Sequence, residues 1–119
     1  MLTHNKIPFI NENILMKKAL KIMTEKKLGT LIIRNKKKQT TGIITDGQIR
    51  KLNSKNINLN SLKVKNVMTK NPIKIEKNTL ATKALSIMNE KKITCLCVYD
   101  EKKKTNTIGI IHVHNILEN

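Results

Sequence analysis

Residues 13–31 read NILMKKALKIMTEKKLGTL, and residues 78–96 read NTLATKALSIMNEKKITCL. At an offset of 65 they agree at 11 of 19 positions, Leu15/Leu80, Ala19/Ala84 and Met23/Met88 among them. The agreement resumes at Gly42-Ile43-Ile44 and Gly109-Ile110-Ile111, now offset by 67. The two extra residues fall in the intervening loop, where insertions are tolerated. Chance does not produce such a pattern. The chain is a tandem duplication, and one copy's fold predicts the other's.

Each copy carries the same succession of signals. Ile7–Ile10 and Pro72–Ile75 are short extended segments, each with a Pro suited to the start of a strand. Leu15, Ala19, Ile22 and Met23 fall at i, i+4, i+7 and i+8, one face of a helix, and Leu80, Ala84, Ile87 and Met88 repeat that face. Asn13 and Asn78 (or Thr79) stand where a helix N-cap belongs. The methionines in these stripes read as core filler. Strands are expected at Thr30–Ile33 and Thr94–Tyr99, and again at Thr41–Thr45 and Thr107–His112. Polar turns with Lys triplets, Lys36–Lys38 and Lys102–Lys104, separate them; these read as solvated hairpin tips that oppose edge aggregation. Short helices, Asp46–Leu52 and Val113–Leu117, close the units. The predicted unit is β-α-β-β-α, twice, an α/β (α+β) fold. Residues 1–52 form repeat 1, residues 53–67 a lightly packed linker, and residues 68–119 repeat 2.

Composition narrows the function. A chain of 119 residues with 39% apolar residues can bury a core, and no run approaches the ~18 apolar residues of a membrane span. The N-terminus lacks an apolar signal core, and two cysteines, Cys95 and Cys97, make no disulfide framework. A cytoplasmic location is the default expectation. The net charge of +16 comes from 22 Lys and only 2 Arg, with Phe9 and Tyr99 the sole aromatic residues. Base readout favours Arg, and single-strand binding favours aromatic platforms. No specific nucleic acid and no membrane is therefore expected as partner. Cys95 and Cys97, alternating on one strand face, read as small buried hydrophobes. No Ser/His/Asp set, paired carboxylates, Walker loop or dinucleotide fingerprint is present. The chain is expected to bind and regulate, with no catalytic residues, no cofactor and no metal site.

A duplicated β-α-β-β-α unit, with a Gly-hydrophobic-hydrophobic-Thr strand before a short helix, resembles the CBS domain pair, the cystathionine β-synthase-type module. Val67-Met68-Thr69 and Asn71-Pro72 are similar to the start of that family's second repeat. The likeness covers essentially the whole chain and implies tandem CBS repeats with pseudo-two-fold symmetry. More narrowly, Thr45-Asp46-Gly47-Gln48-Ile49-Arg50 resembles the T-D-G-x-[IL]-R run of bacterial arabinose-5-phosphate isomerases. The stretch from Gly109 to Leu117, GIIHVHNIL, resembles their second-repeat ending, and its His-x-His pair carries most of that likeness. In those enzymes the CBS pair follows a sugar-isomerase domain that interconverts ribulose 5-phosphate and arabinose 5-phosphate for Kdo, lipopolysaccharide or capsule synthesis. By this resemblance the chain is the C-terminal, regulatory portion of a longer isomerase, with an N-terminal sugar-isomerase domain as partner.

The resemblance also implies a ligand cleft beside the start of each closing helix, where backbone N–H groups favour phosphate. Thr45 can donate its hydroxyl to phosphate or ribose. Asp46 is either a helix cap or a ligand contact, and Gly47 allows close backbone approach. His112 takes the Thr45 position in repeat 2, with His114 two residues on. Nucleotide-binding CBS repeats carry an Asp three residues after the Thr; here those positions are Gln48 and Asn115. Thr94 completes the candidate ligand-binding residues. The implied ligand is a nucleotide or nucleotide sugar such as CMP-Kdo, and the implied assembly a homodimer or higher homo-oligomer. Two alternatives stand beside this one: a dimerisation scaffold without ligand, and the CBS pair of a sugar-nucleotidyltransferase. A zinc role for His112 and His114 with His4 lacks the acidic or Cys partners it needs.

Overall fold

The computed structural model describes residues 2–3, 7–26 and 29–113. Strand β1 is Leu2–Thr3, β2 is Phe9–Asn11, and helix α1 runs Met16–Lys26. Strands β3 (Thr30–Arg34) and β4 (Thr40–Thr45) lead to helix α2 (Asp46–Ser54). A 3-10 turn, Val64–Asn66, precedes β5 (Thr69–Lys70) and β6 (Lys74–Glu76). Helix α3 (Ala81–Lys91), β7 (Cys95–Tyr99) and β8 (Gly109–His112) follow. The duplication is thus present as structure. The closing helix of repeat 2 lies outside the described residues beyond Val113.

The chain divides into two compact units, residues 8–71 and residues 1–7 with 72–119. In the first, the sheet order is β2-β3-β4-β5; in the second it is β1-β8-β7-β6. Strands β2 and β3 are parallel, Ile10 opposite Ile33, and so need the crossover helix α1 between them. Strands β6 and β7 repeat this around α3, Ile75 opposite Val98. The hairpins β3–β4 and β7–β8 are antiparallel. Both inner strands, TLIIR and CLCVY, are buried along four of five residues, which explains their unbroken apolar character. Each sheet ends on a two-residue strand taken from the other repeat's leading segment. Thr69–Lys70 pairs with β4, and Leu2–Thr3 pairs with β8.

In the first unit, α1 places Met16 and Ala19 against Leu31, Ile33 and Ile44, with Leu59 and Val64 in the same core. The segment 53–67 is therefore anchored more firmly than its polar composition suggested: Val64 is fully buried, and Met16 N–H donates to the Leu62 carbonyl at 2.7 Å. In the second unit, Ala84 and Met88 pack on Ile75, Leu96 and Val98. Met88 acts as core filler, as its spacing predicts, whereas Met23 is only partly buried and the fully buried methionine of α1 is Met16, which lies outside the predicted stripe.

The helix starts differ from expectation. Helix α3 is capped by Leu80 with no side-chain bond, so neither Asn78 nor Thr79 caps it. Asn13 and Asn78 instead lie in matching turns, their N–H groups donating to Asn11 Oδ1 (2.8 Å) and Glu76 Oε2 (2.7 Å). Leu15 and Leu80 consequently precede the helical phase and are 48% and 73% exposed rather than part of the core stripe. The two aromatic residues each meet a cation, with the roles exchanged between repeats. Arg34 lies 4.1 Å over Phe9, and Lys74 lies 5.1 Å over Tyr99.

The hairpin tips are built by side-chain acceptors. Asn35 Oδ1 takes the N–H of Lys37 and of Gln39, both at 3.0 Å, while Lys38 adopts a left-handed φ of 65°. Asp100 Oδ1 takes the Lys102 N–H at 3.1 Å, and its Oδ2 meets Lys77 Nζ at 3.0 Å. The Lys102 amide, then Lys77, holds the Asp100 carboxyl below its ordinary range.

Gly42 is where the borrowed strand meets the sheet. A Cβ there would overlap Met68 Sδ and stand 2.7 Å from its Cγ. Met68 is flexible and half-buried, so it can give way in part. Gly42→Ala should cost about 1–3 kcal/mol in chemical denaturation. Adding Met68→Ala removes Sδ and Cγ but keeps a Cβ at 3.0 Å, so it should relieve part of the glycine substitution's cost in a double-mutant cycle; additive costs would disprove the contact.

Candidate ligand site

Four of the candidate residues lie together at the β4–α2 turn. Thr45 ends β4 in extended conformation and caps α2, its Oγ1 accepting the Gln48 N–H at 3.3 Å. The cap is thus Thr45, and Asp46 is the first helical residue, where its charge suits the positive end of the helix dipole. The Asp46 N–H donates to the Gly29 carbonyl at 2.9 Å, and its carboxylate faces Arg50 Nη1 at 3.4 Å on the surface. Gly29 has φ +66°, and a Cβ on it would press on Asp46 Oδ2 at 3.2 Å. Gly47 is open: an added Cβ would make only an ordinary contact with Arg50 at 3.7 Å.

Gln48 is half-buried, and its Nε2 donates to the Val67 carbonyl at 2.6 Å. Thr45-x-x-Gln48 has the spacing of a capping box, in which the glutamine would return to the cap residue's own N–H. Here the first bond of that box is made and the glutamine turns to the linker instead. The sequence carried the capping-box signal but nothing that pointed to Val67, which is 19 residues away.

The second repeat builds the same turn. Val113 N–H donates to the Thr94 carbonyl at 2.7 Å, matching the Asp46–Gly29 bond. His112 stands at the end of β8, opposite Cys95 in the ladder and half-buried. Thr94 is exposed. His114 and Asn115, like His4, lie outside the described residues. Thr94 and Val113 line an open groove of about 730 Å³ together with Leu85, Met88 and Asn89 of α3 and with Ile93. The α3 groove was not anticipated from the sequence, because its members belong to both the core stripe and the polar face.

Among the described residues no group of three His, Cys, Asp or Glu is placed to hold a metal ion. No helix among them is long and apolar enough to cross a membrane.

A family model described as CBS domain matches residues 2–55 and 64–119. The arabinose 5-phosphate isomerase KdsD of Yersinia pestis is 34% identical over 117 residues, 98% of this chain and 35% of that protein. The chain thus spans about a third of the length of the curated relatives it matches. Among solved structures, CBSX2 in complex with AMP is similar with a TM-score of 0.81 and 22% identity, over 99% of this chain and 90% of that one. The CBS domain pair of protein MJ0100, in complex with methylthioadenosine and S-adenosyl-L-methionine, gives 0.83 and 21%, over 98% and 90%.

The thiols next to this turn, Cys95 and Cys97, are both buried. Cys97 is 2% exposed, and burial pushes its thiol up to about 12, a rise that its bond to Thr107 only partly offsets. The unfolded thiol ionises near 9.0, so the buried thiol's contribution is intact below that pH and is lost as pH rises toward 12. Iodoacetamide at pH 8 should label Cys97 at least about a hundredfold more slowly in the folded chain than in denaturant. Between pH 9 and 12 the thermal midpoint should fall further than in Cys97→Ala.

Proposed function

The chain belongs to the CBS domain family, and from that premise we propose that it is the regulatory ligand-binding pair of an arabinose-5-phosphate isomerase, sensing a nucleotide or nucleotide sugar. One observation carries the enzyme assignment: the likeness to KdsD runs along 98% of this chain. The TDGQIR and GIIHVHNIL stretches support it at the two strand-to-helix turns. The sugar-isomerase domain and the reaction belong to the proposed parent protein, in which this portion regulates and does not catalyse.

The ligand class follows from the turns. Each joins a strand end to a helix start, or to its first residue, where N–H groups suit a phosphate. Neighbours of the same fold hold adenine-containing ligands, AMP in one and S-adenosyl-L-methionine in the other. The net charge of +16 concentrates anions around the chain. His112 and His114 can donate to phosphate or carboxylate oxygens, more strongly when protonated. CMP-Kdo, an activated end product with both groups, is the feedback ligand that this chemistry fits. Calorimetry with CMP-Kdo, CMP, AMP and ATP should show binding of at least one, tighter near pH ~6 than at pH ~8. His112→Ala should weaken it by about tenfold, the value of one charge-assisted bond. No heat from any of the four would remove the ligand reading.

A dimerisation scaffold without ligand is the second reading, favoured by the commitment of Thr45 and Gln48 to internal bonds. Dimerisation itself is compatible with both, and exposed Leu15 and Leu80, the same position in each repeat, are suited to a contact. Sedimentation should give about twice the 13.6 kDa chain mass, and Leu80→Asp should shift the equilibrium toward monomer. A concentration-independent monomer would overturn this assembly.

A further inference from the structure

We propose that Gln48 is a positioning residue that ties down the start of the second repeat. At 2.6 Å its Nε2 donates to the Val67 carbonyl, one residue before Met68 and two before β5. Val67 and Met68 also pack against the first core, but the backbone of that region has few fastenings. Strand β5 makes only two ladder pairs, Gly42 with Lys70 and Ile43 with Thr69. Both of its residues are exposed. Val67 and Met68 N–H groups both turn back to the Val64 carbonyl, at 3.0 and 2.9 Å, and so fix the local turn without reaching the helix. Among the hydrogen bonds of the described residues, that of Gln48 is the one that links α2 to this segment.

The backbone of Gln48 is engaged as well, since its N–H donates to Thr45 Oγ1 at 3.3 Å. One residue therefore joins the strand end, the helix start and the linker.

The test uses the whole 119-residue chain with two variants. Gln48→Met keeps the side chain's length and helix preference and removes the donor, while Gln48→Lys keeps a donor at that position. Hydrogen exchange of residues 67–71 should quicken about five- to tenfold in Gln48→Met, as loss of one net hydrogen bond predicts, and by less than twofold in Gln48→Lys. Unchanged exchange in Gln48→Met, or equal acceleration in both variants, would overturn the tether.

Discussion

Each four-stranded sheet is completed by two residues that come from the other repeat's leading segment. Thr69–Lys70 closes the sheet of β2, β3 and β4, and Leu2–Thr3 closes that of β6, β7 and β8. This exchange constrains the rest. The chain must return to the first sheet before starting the second, which is why the polar segment 53–67 carries Leu59 and Val64 into the core. It also explains Gly42: the returning chain passes over β4 at Met68, and a residue without a Cβ leaves space for that side chain without displacing it. Because strands so short offer few ladder bonds, side chains such as Gln48 must share in holding them.

The two repeats keep their architecture and divide their chemistry. Both place an N–H at the start of the turn on a carbonyl across it, Asp46 on Gly29 and Val113 on Thr94. Both pair a cation with a ring, although Phe9–Arg34 in one becomes Lys74–Tyr99 in the other. Such an inverted pair preserves the contact while every residue in it changes, as expected where packing and charge matter and identity does not. At the candidate ligand turns the copies diverge further. Thr45 has become the cap of a full helix, with Gln48 drawn into the linker, whereas the second repeat offers His112. A duplicated fold allows this, because one copy can take on structural duty without emptying the other of its chemistry.

The repeat period by itself determined the number of units, the order β-α-β-β-α, and the apolar strands TLIIR and CLCVY, because buried central strands and amphipathic helices leave periodic marks in a sequence. It also marked Thr45 to Gln48 and His112 as the residues of the turns. It could not determine where an edge strand of two exposed residues would pair, since Thr69–Lys70 has no periodicity to read. Nor could it tell which polar residue caps a helix: Asn13, Asn78 and Asp46 all looked suitable, and the phase of each turn gave the position to Thr45 in one helix and Leu80 in another. The destination of the Gln48 side chain was decided only in three dimensions. A donor beside a helix start has several acceptors within reach, and the one it meets, Val67, was brought there by the return of the chain to the first sheet.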